Sequence, residues 1–284
     1  MNKKFLTKIA EENAAFVASS KIPIPTTTRI LFNELLYKKN PVKDDIIILI
    51  DKCKTDACAR NFILSGKSRN VAVLNYASFR APCGGYDKGS KAQEEDNCRA
   101  GPHLAFSLKA KENEYYPLRP CCTLMTPNVM LVRNTNDYKF LEEKDVVGVT
   151  VVSAAAQDLN EEEFNYQQTY NTIVNIFCSV KMCDPSIDTL VLGSWGCGVF
   201  KNDPYVIAGI MNEVTKHYGG YYKHIIYGIP EGPNLKEFMK TIKWTKTNDE
   251  EEENSSPEEL ETKEEDFEKP PVRIAHRKGN RRRF

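Results

Sequence analysis

Histidine is scarce in this chain, with only His103, His217, His224 and His276, and they lie far apart. Cys53 and Cys58, like Cys178 and Cys183, have four residues between them, wider than a zinc knuckle allows. On the sequence, neither a metal nor any other cofactor is expected. No apolar run approaches the ~20 residues a bilayer span requires, so no membrane partner is expected. The opening residues carry Lys3, Lys4 and Lys8, then Glu11 and Glu12, with no apolar signal core, which argues against secretion. The nine cysteines are odd in number and several sit in apolar runs, as free thiols of an intracellular, cytoplasmic or nuclear, protein would. No histidine is patterned to activate Cys83 or Cys197, so both read as inert rather than nucleophilic.

Net charge is also missing, and its absence hides a division. Twelve acids and only Lys263 occupy 249–268, and seven bases with no acid follow from Lys269 onward. Residues 1–248 therefore keep 31 bases (39 less 8) and 27 acids (39 less 12). The mildly basic balance suits an anionic ligand. Rich in Glu, Ser, Pro and Arg and without periodicity, 248–284 read as a disordered tail, acidic then basic. Its basic end, Arg273 to Arg283, fits a nucleic-acid contact, an import-receptor address or a merely solvated tail. Residues 1–247 read as one folded unit, and a monomer is expected.

Within that unit, strand and helix patterns alternate. Near-continuous apolar stretches at Ile46–Ile50, Val71–Tyr76, Val129–Val132, Val146–Val152, Thr189–Leu192 and His224–Ile229 suit strands covered on both faces. Helical spacing joins Phe5, Leu6, Ile9, Phe16 and Val17, and again Ile30, Leu31, Glu34 and Leu35. Longer helices are expected over Gln93–Leu108, Glu161–Val180, Asp203–Tyr218 and Leu235–Trp244. The alternation predicts an α/β fold of three layers, with a helical extension over about residues 1–40.

Two glycine loops follow strands. After Val71–Ala77 comes Pro82–Glu95, with Gly84 and Gly85 and then Gln93, Glu94 and Glu95 opening a helix. Glycine permits close backbone approach to a ligand, and adjacent glutamates repel, so one holds its proton more tightly than a free carboxylate. Such a pair at a helix start is otherwise commonly a solvated, dipole-favoured feature. The second loop runs Gly193–Pro204, with Asp203 as helix N-cap and Pro204 in the first turn. Its amides beside a helix start suit an anion. Two such loops at strand ends point to one phosphate site.

Together these residues resemble the microbial-type poly(ADP-ribose) glycohydrolases, a branch of the macrodomain superfamily, whose signature is a glycine triplet, a spacer and Gln-Glu-Glu. Here seven residues separate Gly85 from Gln93. Cys98-Arg99, Thr126–Val129 with Arg133, Ser153–Ala156 and Gly193–Pro204 extend the likeness over roughly residues 5–243. Three positions depart from it. Cys83 stands for the first signature glycine, Ser78 for a ribose-binding asparagine, and Ala100–His103 for a segment with a serine.

The resemblance implies a three-layer α/β/α macrodomain with a mixed sheet that cuts the ribose–ribose bond of poly(ADP-ribose). It assigns Glu95 as general acid and base, with Glu94 orienting the distal ribose and keeping Glu95 protonated. It assigns Gln93, Asn75 and Ser78 to the ligand site, with the amides of Gly84, Gly85, Gly196, Cys197, Gly198 and Val199 on the diphosphate. Phe200 would cover the distal ribose, although Phe200 and Trp195 equally suit the core. Asp51 and Asp56 compete for an adenine contact. A non-hydrolytic ADP-ribose reader, or a hydrolase acting on ADP-ribosylated proteins or nucleobases, fits the same residues.

Overall fold

The computed structural model describes residues 2–43 and 45–243. Trp244 and the tail assigned to 248–284 lie outside them. Helix α1 (Lys3–Ser19) precedes β1 (Thr28–Leu31) and β2 (Ile47–Asp51), then α2 (Thr55–Leu64) and β3 (Val71–Tyr76). Next come α3 (Gln93–Ala100), α4 (Pro102–Lys109), the single turn α5 (Glu112–Tyr115), β4 (Cys122–Leu131) and β5 (Val147–Ala154). The rest is α6 (Tyr166–Cys183), β6 (Thr189–Leu192), α7 (Pro204–Tyr218), β7 (His224–Gly228) and α8 (Pro233–Thr241). No helix among the described residues is long and apolar enough to cross a membrane.

The seven strands form one mixed sheet in the order β1-β4-β5-β3-β6-β7-β2. β5, β3, β6, β7 and β2 run parallel, and β4 and β1 are added antiparallel at one edge. Alternation along β3 sends Val71 and Val73 into one core with α2, α3 and α4. Ala72 and Leu74 enter the other, with α6, α7 and α8. Helices therefore cover both faces, which explains the unbroken apolar runs of the central strands.

Four local expectations change. Ile30 and Leu31, spaced as if for a helix, belong to β1, because Thr28–Leu31 pairs with Cys122–Met125 and that pairing outweighs local period. The helical parts of the N-terminal segment are therefore α1 and a single 3-10 turn at Glu34–Leu36. The helix expected over Gln93–Leu108 is two, since Pro102 cannot continue a hydrogen-bonded turn and begins α4 instead. β4 starts at Cys122 rather than near Val129; Pro127 and Asn128, just before the expected strand, form a bulge within it, with Asn128 at φ +54°. α6 begins at Tyr166, where the Asn165 side chain accepts from the Gln168 N–H.

α1 braces the first glycine loop from below. Its buried Asn13 donates to the Tyr86 hydroxyl (3.1 Å) and the Arg99 carbonyl (3.2 Å) and accepts from Arg133 Nε (2.7 Å). Arg99, fully buried, donates onward to the Ser90 carbonyl at 2.7 Å. Truncating Asn13 would leave a buried guanidinium N–H without its acceptor. Asn13→Ala is expected to destabilise the fold by about 1–3 kcal/mol. Denaturant unfolding checks this, with the exposed Ser19→Ala as a near-neutral comparison.

Candidate functional site

The parallel strands β5, β3 and β6 are neighbours, so the segments after Ala154, Tyr76 and Leu192 emerge side by side at one end of the sheet. One carbonyl ties them. Ala154 O accepts the Ala77 N–H from the chain after β3 (3.1 Å) and the Trp195 indole N–H from the chain after β6 (2.9 Å). Trp195 is thus a buried anchor, not a ligand wall. A turn after β5 crosses over: Asn160 donates to Val199 O at 2.8 Å, and Glu161 pairs with Arg80 of the first loop.

The first turn of α3 is held to this end of the sheet by all three of its signature side chains. Gln93 accepts from the Tyr76 N–H (2.8 Å) and donates to Leu74 O (2.7 Å) and Thr55 Oγ1 (2.8 Å). Its amide is spent on holding the turn. Glu94 is buried. It accepts from the Ser78 N–H at 2.8 Å and from Asn75 Nδ2 at 3.3 Å. Glu95 accepts from the Gly85 N–H and from the Ala92 N–H, each at 2.9 Å. The second of these is the return half of a capping box.

Both carboxyls face Gly84. A Cβ there would stand 2.7 Å from Glu95 Oε1 and 3.5 Å from Glu94 Oε2, and its φ is +52°, so only glycine fits. Burial pushes the Glu94 carboxyl up to about 8, and the neighbouring Glu95 charge adds to the rise. Repulsion between the pair is therefore secondary to desolvation, and Glu94 is the carboxyl that holds a proton at neutral pH.

The other expected site residues separate into two kinds. Asn75 is fully buried beneath Glu94, bonded to Ser153 and Asn97, and so acts on the carboxyl rather than reaching outward. The Ser78 hydroxyl accepts from the Arg80 N–H at 3.3 Å and shapes the loop. Cys83 takes a left-handed backbone (φ +63°) that costs a non-glycine residue about 1–2 kcal/mol. Its thiol turns into the core toward Ala105 O at 3.7 Å, so the departure from glycine adds no side chain to the loop's outer surface.

In the second loop, Gly196 (φ +76°) lies too close to Ala156 and Asn202 for a side chain. The Cys197 N–H donates to Ser194 O, and burial pushes its thiol up to about 12, an inert state. Among the expected cradle amides, those of Gly85 and Cys197 are thus committed within the chain. Those of Gly84, Gly196, Gly198 and Val199 have no acceptor among the described residues. Val199 is exposed and Phe200 half-buried against the core edge. Of the competing acids, Asp56 is buried and accepts from Thr135 Oγ1 (2.8 Å), while Asp51 ends β2 in the open.

Tyr116 was not legible in the sequence. Its hydroxyl is buried without a partner among the described residues. Burial and the adjacent Glu94 charge both raise its pKa. Nothing near it in sequence marks it, because its place depends on the loop after α5 folding back toward the glutamate pair.

Residues 6–134 match the family of microbial-type poly(ADP-ribose) glycohydrolase (PARG) catalytic domains. Among solved structures, the chain is similar to PARG from Thermomonospora curvata, with a TM-score of 0.72 and 22% identity over 84% of this chain and 100% of that one. The same enzyme bound to the inhibitor ADP-HPD gives 0.70 and 22%, over 84% and 99%. PARG from Deinococcus radiodurans in complex with ADP-ribose gives 0.59 and 25%, over 69% and 84%. No curated protein matches the sequence. The likeness read from the loops is borne out: residues 6–134, with the Gln93–Glu95 turn inside them, match microbial-type PARG catalytic domains, and the fold is that of the bacterial glycohydrolases.

Proposed function

We propose that this protein hydrolyses the ribose–ribose O-glycosidic bond of poly(ADP-ribose) and releases ADP-ribose. The observation that carries the reading is the buried Glu94–Glu95 pair set against Gly84, at the same end of the sheet as the unengaged amides of the second loop. The family match over this turn supports it. The substrate class follows from what the related crystal structures hold, ADP-ribose and an inhibitor, and from the mildly basic folded region.

Cleavage needs a proton for the departing ribose oxygen and negative charge beside an oxocarbenium-like centre. Glu94, the more buried partner, stores a proton at neutral pH. In this reading the proton passes from Glu94 to Glu95; Glu95 delivers it to the leaving oxygen and then, as carboxylate, takes a proton from the attacking water. Its two backbone N–H donors hold it in line and stabilise the charge it regains. Glu94, kept in place by Asn75 and the Ser78 N–H, faces the distal ribose hydroxyls. The amides of Gly84, Gly196, Gly198 and Val199 hold the diphosphate, and Phe200 lies over the distal ribose. Residues 1–247 form the catalytic unit.

Glu95→Gln is expected to lower ADP-ribose release from polymer by about 10²–10⁴-fold. ADP-ribose binding, followed by calorimetry, should persist. Wild-type turnover in this variant would remove the assignment, and a wild-type protein that binds polymer without shortening it would be a reader.

The proton on Glu94 has a thermodynamic signature. A carboxyl with a native pKa of about 8 binds more proton than the unfolded chain from about pH 4.5 to 8. Stability should therefore fall as pH rises through that window, by at most about 1.4 kcal/mol per unit, and level off above it. The decline should vanish in Glu94→Gln. Denaturant melts of both proteins from pH 5 to 9 decide this; parallel curves would place the proton elsewhere.

A further inference from the structure

The carboxyl end of β2 and the start of α2 bring together three side chains that take no part in the proposed bond cleavage. Oxygen and sulfur atoms of Asp51, Cys53 and Cys58 all lie within 4.8 Å of one another. The Cys58 thiol is 3.6 Å from Asp51 Oδ2. In a tetrahedral zinc site, with Zn–S near 2.3 Å and Zn–O near 2.0–2.2 Å, the sulfur-to-oxygen edge is roughly 3.5 Å. The Asp51–Cys58 pair is thus already spaced as one edge of such a site, with Cys53 within 4.8 Å of both. Sequence spacing gives no hint of this, because the third donor comes from the strand end rather than from a further cysteine pair.

We propose that Asp51, Cys53 and Cys58 form a three-donor site for a thiophilic divalent cation, with Zn2+ as its natural occupant. Two thiolates and one carboxylate match a borderline-soft ion and disfavour Mg2+ or Ca2+, which take all-oxygen shells. Binding joins the ion to two sulfurs and one oxygen and releases the two thiol protons to solvent, with no change of oxidation state. Cys58 is buried, Cys53 half-buried and Asp51 exposed, so the ion enters from the Asp51 side and keeps a fourth position for water.

Two residues that brace the candidate active site lie between the cysteines. Lys54 Nζ contacts Asp96 Oδ2 at 2.7 Å, and Thr55 Oγ1 accepts from Gln93. A cation joining Cys53 to Cys58 would stiffen the segment that holds the first turn of α3. The site itself does not depend on the glycohydrolase reading.

The test uses the full chain, kept reduced with a phosphine, and Co2+ as probe. One equivalent should produce a thiolate-to-cobalt charge-transfer band with tetrahedral d–d bands, and Zn2+ should displace it. Cys53→Ser, at a half-buried position that the fold tolerates, should weaken binding beyond the roughly 10–100-fold lost when an outer-shell partner is removed. Asp51→Asn should retain the thiolate band at lower affinity, and Cys183→Ser, far from the site in sequence and exposed, should leave binding unchanged. Absence of the band at one equivalent, its survival in Cys53→Ser, or its equal loss in Cys183→Ser would overturn the site. Circular dichroism of each variant shows that a lost band is not lost fold.

Discussion

The first turn of α3 depends on hydrogen bonds that run from its side chains to the backbone of other segments. Gln93 reaches the last residues of β3, Glu94 the loop after it, and Glu95 the glycine loop and the helix's own N-cap. Each bond is an ordinary one, worth about 1 kcal/mol net. Their combined effect is positional. Helix, strand end and loop cannot shift separately, so two carboxyls stay pressed against Gly84 in a place where solvation would otherwise pull them outward.

The rest of the architecture supports that arrangement. Parallel β5, β3 and β6 deliver their following segments to one end of the sheet, and the Ala154 carbonyl binds two of them at once. Beneath the loop, Asn13, Arg99 and Arg133 connect α1 to the Tyr86–Ser90 backbone. The N-terminal helix is therefore part of the framework of the candidate site rather than an appendage. Burial then distinguishes the glutamates: the more desolvated Glu94 has its pKa pushed up to about 8, while Glu95 accepts from two backbone donors beside Gly84.

Much of this was legible in the residues. The apolar runs of the central strands, both glycine loops and the Gln93–Glu95 turn stand in the sequence because local chemistry imposes them. Period-two and period-3.6 patterns follow from burial, and a left-handed turn favours glycine. Where reading failed, a long-range contact had overruled a local rule. Thr28–Leu31 became a strand because β4 offered an open edge, and Pro127-Asn128 became a bulge because β5 kept pairing on either side.

The sequence by itself therefore determined the α/β class, the two loops and the acid pair, since each is encoded in neighbouring residues. Only the tertiary structure decided which glutamate carries the proton, because desolvation depends on what α3 packs against. It alone decided which amides remain free for a ligand, because Gly85 and Cys197 spend theirs inside the chain. It also buried the Tyr116 hydroxyl within the field of Glu94 and set Asp51 beside Cys58, placements that exist only once segments distant or differently oriented in the chain are folded onto one another.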